Sequence, residues 1–308
     1  MEPPTPHAIH PPTAASVFLL ELAQRLVPPY ARLPTARAGM VSGSSAKGLA
    51  DQYSDLDILL YYDGELPTED ELTALRKGHG GSERKFCLGD RAEGEIVESY
   101  FVQGVEVQLA HSTIATWEAQ MAKVLVELDC DSPLQKALEG TLAGRALFGE
   151  ELVAEWQRRA SAYPPALGVA MVRRHLAFFP MWALEHQFRT RDATVFYYES
   201  LVACAQHLMG VLAGLNGAYF TTFQVKRMGR FLAPMKIAPR DVAERLEDLF
   251  RQDRERALPR LKTLVEETVA LVEAHLPEVD TSAVRALLAR RAQVWAVPAS
   301  PGTGDERE

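Results

Sequence analysis

The sequence predicts an α+β fold, in which an N-terminal α/β unit with a small mixed sheet precedes a C-terminal helical bundle. Residues 37–112 mix short apolar runs with glycine and charge, which is typical of strands and turns. From about residue 134 onward, apolar residues recur at helical spacing instead. The 308-residue chain is 47% hydrophobic and 24% charged, which is enough apolar material for one large domain or two of ordinary size.

Two strands of the N-terminal unit are predicted by alternation. In residues 55–62 every second residue is apolar and faces one side, so Asp55 and Asp57 share the opposite face. In residues 105–109 the valines and leucine point inward, and Glu106 points the other way. The pattern therefore places three carboxylates on two strands.

Further elements complete this unit. Gly104 indicates a tight hairpin between the second strand and a preceding run, residues 95–102. Thr113 is well placed to cap a helix that begins after it. The flanking helices are predicted at residues 14–26, 69–77 and 113–128.

The second half of the chain is predicted to be helical. Between residues 258 and 276 apolar side chains recur every three or four positions, which indicates one long helix that Pro277 ends. Glycines in residues 214–217 interrupt another. Similar stripes cover residues 168–189, 195–212, 241–250 and 282–294.

We therefore predict four segments. Residues 1–13 are a proline-rich disordered leader, 14–130 the α/β domain, 131–297 the helical bundle, and 298–308 a disordered tail.

Composition excludes several functional classes. The net charge of −8 disfavours nucleic acid as a partner, because phosphate contacts need clustered lysine and arginine. The three cysteines lie far apart and match no zinc-site spacing, which predicts reduced thiols. The N-terminus lacks a secretion signal and no apolar run reaches about 18 residues, so we expect no membrane partner and a cytoplasmic location.

One loop and two strands carry groups suited to phosphate chemistry. Gly43 permits close backbone approach to a triphosphate, and nearby N–H groups and the Ser44 hydroxyl can donate to its oxygens. Asp55 and Asp57 repel each other on one face, and a divalent cation such as Mg²⁺ is the natural compensation. With Glu106 as a third oxygen donor, the carboxylates suit two metal ions.

Other phosphate motifs do not fit. The spacing from Gly43 to Gly48 matches a P-loop, but Leu49 and Ala50 stand where that motif has lysine and serine or threonine. No G-x-G-x-x-G follows a predicted strand, and the sequence contains neither H-E-x-x-H nor G-x-S-x-G. Lys47 lies in the loop, either as a contact to the triphosphate or as a solvated lysine.

The order of these groups resembles a known motif. Gly43 and Ser44, ten intervening residues and then Asp55 and Asp57 resemble the signature of the polymerase-beta-like nucleotidyltransferase superfamily. Glu106 stands in the place of that superfamily's third carboxylate. The resemblance implies that the aspartates and Glu106 bind metal, and that Glu106 serves as a ligand or as the base that removes the acceptor proton.

The resemblance spans about residues 36–110. The layout also resembles single-chain antibiotic nucleotidyltransferases of the kanamycin type, with a catalytic domain followed by a helical one. In that family a helical-domain glutamate and lysine act as base and phosphate contact, for which Glu185 and Lys226 are the nearest candidates. We expect helices between residues 168 and 230 to form the far wall of a substrate cavity.

The expected reaction is Mg²⁺-dependent transfer of a nucleoside monophosphate, AMP from ATP, to a hydroxyl of a small-molecule acceptor, with release of pyrophosphate. Two alternatives remain. One is an antitoxin-type enzyme that adenylylates a protein, although such chains usually lack a bundle of this size. The other is a catalytically silent nucleotide-binding protein, which retention of all three carboxylates disfavours.

Overall fold

The computed structural model describes residues 11–291 and residue 295. Residues 1–10 of the predicted leader and the whole predicted tail lie outside the described residues. Within the described residues, six strands form one sheet: β1 (Ala36–Val41), β2 (Leu56–Tyr62), β3 (Phe86–Asp90), β4 (Glu95–Val102), β5 (Val105–Thr113) and β6 (Arg145–Phe148).

The sheet is mixed, as predicted. Its strand order is β3-β4-β5-β2-β1-β6. β2 and β5 run parallel, and the other neighbours pair antiparallel. The hairpin between β4 and β5 turns at Gln103 and Gly104, both with positive φ. β6 comes from the segment that the sequence assigned to the bundle, so the sheet takes its last strand from beyond residue 130.

Fourteen α-helices lie in the described part of the chain. They are α1 (Ala14–Leu26), α2 (Pro28–Ala31), α3 (Gly43–Ala46), α4 (Glu69–Gly78), α5 (Ile114–Leu125), α6 (Leu134–Ala143), α7 (Glu150–Ser161), α8 (Pro165–His175), α9 (Glu185–Thr190), α10 (Thr194–Asn216), α11 (Met228–Leu232), α12 (Val242–Arg251), α13 (Arg254–His275) and α14 (Ser282–Ala289). Short 3₁₀ helices cover Arg91–Glu93, Met181–Ala183 and Thr222–Arg227. No helix in these residues combines the length and apolar character needed to cross a membrane.

Local signals set several helix starts. The Thr13 side chain accepts a hydrogen bond from Ser16 N and begins α1, and Thr113 does the same for α5. The stripe predicted over residues 168–189 is not one helix. It is divided into α8, a 3₁₀ turn and α9, because Pro180 lacks the N–H that a continuous helix would need.

The two faces of the sheet pack against different partners. One face, with Leu56 and Ile58, forms a core with α1, α2 and α4. The other packs against α5 and α7, where Tyr61 lies with its ring centroid 4.5 Å from that of Trp156 and 5.9 Å from that of Trp117. This second core continues into the helical bundle. Asp57 alternates with Ile58, so it points to the same side as the bundle.

Candidate active site

The glycine-serine loop lies directly against the carboxylate strand. Gly43 begins α3 with a φ of 65°. A methyl group in place of its hydrogen would overlap Asp57 Oδ2. Ser42 N donates to the backbone oxygen of Asp57 at 3.0 Å, and Leu49 N donates to Ser44 O at 2.9 Å, which closes the loop. The structure therefore places Gly43 against Asp57, with Ser44 next to it in the same loop.

The aspartate pair carries a charge that the protein alone stabilises poorly. Asp57 is half-buried, and burial, with a further contribution from the negative charge of Asp55, raises the pKa of Asp57 to about 6. Lys136 and Lys47 act in the opposite direction and lower it. Gln108 Nε2 donates to Asp55 Oδ2 at 2.8 Å, which orients the Asp55 carboxylate. A carboxyl group with a raised pKa is a typical feature of a functional site.

Glu106 lies beside the pair but is engaged elsewhere. The parallel register pairs Leu56 with Val107 and Asp57 with Gln108, so Glu106 on β5 lies level with Asp55, the residue just before β2. Its carboxylate accepts from Lys85 Nζ at 2.7 Å and from Ser99 Oγ at 2.9 Å. These donors, the lysine first, hold the pKa of Glu106 below its usual value.

The donor set fits a divalent cation at the aspartates. Asp55 and Asp57 share one face, and their mutual repulsion would be relieved by bound positive charge. Across residues 11–291, no group of three or more His, Cys, Asp or Glu side chains is arranged to hold a metal ion. Glu106 therefore does not complete a three-carboxylate site in this conformation, because Lys85 and Ser99 hold it.

Lys47 joins the loop to α6. Its ammonium donates to both carboxylate oxygens of Glu139 on α6, at 2.5 and 2.7 Å. α6 also approaches the loop closely, since a methyl group on Gly140 would lie 2.7 Å from Ser42 Oγ. Lys47 is thus an ion-paired residue between the loop and α6, rather than a freely solvated lysine.

A second approach to the loop was not predicted. Phe223, in the 3₁₀ helix Thr222–Arg227, has the Lys136 ammonium 4.2 Å from its ring centroid. Arg227 Nη1 donates to Leu49 O at 3.1 Å, so this segment reaches the glycine-serine loop. Lys136 and Phe223 are 87 positions apart in sequence, and no local pattern relates them. Gln108, by contrast, could have been found, since it alternates with Glu106 along β5.

The two helical-domain candidates separate in the structure. Lys226 belongs to the segment that reaches the loop, with its ammonium 5.8 Å from the Phe223 ring centroid. Glu185 begins α9, which packs against α13. Of residues 168–230, which were expected to form the wall of a substrate cavity, the segment Thr222–Arg227 reaches the loop. The helix α6, which lies outside that range, also contacts the loop.

Two surface cavities lie away from the aspartates. One, of about 600 Å³, is lined by the start of α4 and the 3₁₀ turn Arg91–Glu93. The other, of about 540 Å³, lies between Arg37 and the start of α7. Neither is the substrate cavity that the sequence predicts, because neither includes Asp55, Asp57 or Glu106.

Comparison with known proteins agrees with the site. Residues 38–109, from β1 to β5, match the nucleotidyltransferase domain family. The crystal structure of a nucleotidyltransferase-like protein from Exiguobacterium sibiricum aligns over 84% of this chain and 78% of its own, with 13% identity and a TM-score of 0.38. No curated protein matches the chain. The family match contains the Gly43 loop and the aspartate pair, so the chain carries a nucleotidyltransferase domain at residues 38–109.

Proposed function

We propose that the protein transfers AMP from ATP to a hydroxyl group of a small acceptor, in a reaction that depends on Mg²⁺ and releases pyrophosphate. The observation that carries this proposal is the Asp57 carboxylate, which is half-buried beside Asp55 with a pKa raised to about 6. Such a pair is stabilised by a bound divalent cation, and the adjacent Gly43 loop offers donors to a triphosphate.

The nucleotide would lie between the loop and the helical domain. The N–H groups of Gly43 and Ser44 and the Ser44 hydroxyl are proposed donors to the β- and γ-phosphates. Lys136 would add positive charge beside them, since it already lies close enough to Asp57 to lower that group's pKa. Lys47 would join once a phosphate competes with Glu139 for its ammonium.

The aspartates are the proposed metal ligands. Asp55 and Asp57 would hold Mg²⁺, which when bound would supply positive charge that offsets the charge of the leaving pyrophosphate and makes the attacking hydroxyl more acidic. In the transfer, the acceptor oxygen forms a bond to the α-phosphorus while the bond from that phosphorus to the oxygen shared with the β-phosphate breaks. The acceptor proton passes to solvent, and the pyrophosphate leaves with the bridging oxygen. Lys85 lowers the pKa of Glu106, which makes Glu106 a weaker base, so we propose it as a third oxygen ligand.

The acceptor is proposed to be small and polyhydroxylated, either neutral or cationic. The net charge of −8 disfavours an anionic acceptor, although the local charge depends on the loaded site. The helical domain supports a small acceptor, because Thr222–Arg227 and α6 both approach the loop and restrict access from that side. A reducing cytoplasm is the proposed location, which suits three free thiols.

The test is a transfer assay with ATP labelled at the α-phosphate, Mg²⁺ and pooled small-molecule extracts. We expect label on a small product and release of unlabelled pyrophosphate, both absent from Asp57→Asn. Asp63→Asn is the matched control, since Asp63 is an exposed carboxylate just beyond β2. Transfer by Asp57→Asn at the wild-type rate would refute the assignment.

A second candidate acceptor is a protein. The edge of the sheet formed by β3 and β4 carries exposed apolar side chains: Phe101, which is 42% exposed and pairs with Glu106, and Leu88, which is 63% exposed. An uncovered apolar surface beside a reactive site favours a macromolecular acceptor. The same labelled ATP, incubated with cell lysate, separates the two, because label on protein bands would replace the small-molecule proposal with this one.

A further inference from the structure

Two lysine ammonium groups share one aromatic ring at the edge of the site. The Phe223 ring is 52% exposed. Lys136 Nζ lies 4.2 Å from its centroid and Lys226 Nζ lies 5.8 Å from it. A phenyl face attracts a cation through its quadrupole, most strongly at short range. The shorter contact, from α6 to the 3₁₀ helix, is the stronger of the two.

Lys136 lies near the glycine-serine loop without pairing to the aspartates. It is one helical turn before Gly140 on α6, and a methyl group on Gly140 would lie 2.7 Å from Ser42 Oγ. Yet no carboxylate oxygen of Asp57 lies within 4.0 Å of the Lys136 nitrogen, so the two residues do not form an ion pair. Lys47 behaves differently, since it makes a direct pair with Glu139. The Phe223 contact is what distinguishes the surroundings of Lys136.

The segment that carries the ring is anchored on both sides. Phe220 N donates to Gln135 Oε1 on α6 at 3.1 Å, which ties the start of the segment to the helix that bears Lys136. At the other end, Arg227 holds the backbone oxygen of Leu49 in the catalytic loop at 3.1 Å. The ring therefore has a defined position relative to both Lys136 and the loop.

We infer that Phe223 is a positioning residue that holds the Lys136 ammonium off the aspartates and beside the phosphate positions; this rests on the proposed function. A direct ion pair would place Lys136 on the carboxylate oxygens that a cation needs. A ring attracts the ammonium without taking up its hydrogen-bond donors, so all three remain free for phosphate oxygens. Through Lys136, Phe223 would strengthen nucleotide binding without touching the nucleotide.

The test is a double-mutant cycle on nucleotide affinity in the full-length protein. Titration calorimetry would measure the dissociation constant of an ATP analogue with a methylene bridge between the α- and β-phosphates, in Mg²⁺. We expect Phe223→Leu to weaken binding roughly two- to fivefold, which is the size of an exposed cation–π contact. Phe223→Tyr, which keeps an aromatic face, should bind like the wild type. In the Lys136→Met background, Phe223→Leu should have no further effect.

The control is Val225→Ala, on the same 3₁₀ helix with a 40% exposed side chain, which should leave the dissociation constant unchanged. An equal loss from Phe223→Leu in the presence and absence of Lys136 would show a structural role only and overturn the inference. Failure of Phe223→Tyr to rescue binding would do the same. No binding by the wild type would instead refute the proposed function, on which the inference depends.

Discussion

Gly43 lies against the Asp57 carboxylate so closely that a single added methyl group would overlap its Oδ2 atom. The loop residue also has a φ of 65°, in the left-handed region that residues with a Cβ rarely adopt. Two independent constraints thus require glycine at the point where the phosphate loop meets the proposed metal ligands.

Gly43→Ala should therefore lower both stability and nucleotide binding. The left-handed backbone alone costs about 1–2 kcal/mol with a side chain present, and the overlap displaces Asp57 further. Urea denaturation would measure the loss. Gly78→Ala is the control, because Gly78 ends α4 with nothing within 4 Å of an added methyl group. A Gly43→Ala protein as stable as wild type would show that the loop relaxes freely.

Asp55→Asn and Asp57→Asn should each abolish nucleotidyl transfer and leave the fold intact. Removing one carboxylate relieves the repulsion between the two, so metal-free thermal stability should hold or rise. Circular dichroism melting curves in EDTA, beside the transfer assay, would check both parts. A large drop in melting temperature would mean that the pair has a structural role instead.

The raised pKa of Asp57 predicts a pH dependence of stability in the absence of metal. The folded protein binds this proton up to about pH 6, because the pKa of Asp57 is raised to about 6 from the ordinary aspartate pKa of 3.8. Between these values the folded state holds more protons, so the free energy of unfolding falls as pH rises through the window. The loss from this group is about 1–3 kcal/mol.

Urea unfolding at stepped pH in EDTA would measure this slope. Asp57→Asn should remove the contribution and flatten the curve, while the exposed Asp63→Asn keeps the wild-type shape. Mg²⁺ should oppose the loss, because it favours the ionised carboxylates. A wild-type curve that rises steadily across this window and is unchanged in Asp57→Asn would contradict the burial argument.

Lys85 competes with metal for Glu106, so Lys85→Met should strengthen divalent cation binding. Lys85 is half exposed, and an exposed ion pair of this kind is weak, so the expected gain is roughly two- to fivefold in affinity. Mn²⁺ titration followed by electron paramagnetic resonance would measure it. Lys123→Met, on the exposed side of α5, is the control. Unchanged Mn²⁺ affinity in Lys85→Met would remove Glu106 from the metal site.

ATP with Mg²⁺ should raise the melting temperature more than ATP with EDTA. A ligand that binds only the folded state stabilises it by about 2.7 kcal/mol at a hundredfold excess over its dissociation constant. Differential scanning fluorimetry would give the two shifts, with Asp57→Asn expected to lose the difference. Equal shifts in both conditions would indicate a metal-independent nucleotide-binding protein.

The sequence alone predicted the glycine-serine loop and the shared face of Asp55 and Asp57, because the patterns that indicate them involve only a few adjacent residues. Alternation over residues 55–62 put Asp55 and Asp57 on one face, and the period of a strand makes that inference independent of its neighbours. The glycine before Ser44 and the capping residue Thr113 have the same property, since a turn or a helix start depends on a few adjacent residues. The predicted bounds of α1 and β4 were confirmed for the same reason.

Only the tertiary structure determined which distant residues contact the loop and the side chains around it. Lys47 meets Glu139 across 92 positions, Lys136 meets Phe223 across 87, and Arg227 meets Leu49 across 178. Such pairs depend on how α6 and the 3₁₀ helix pack on the sheet, and packing is a sum of many weak contacts that no short pattern encodes. Glu106 is the clearest case. Alternation along β5 predicted the face of the sheet on which Glu106 lies. Its hydrogen bond from Lys85 depends on the pairing of β3 with β4 and of β4 with β5, which only the folded sheet establishes.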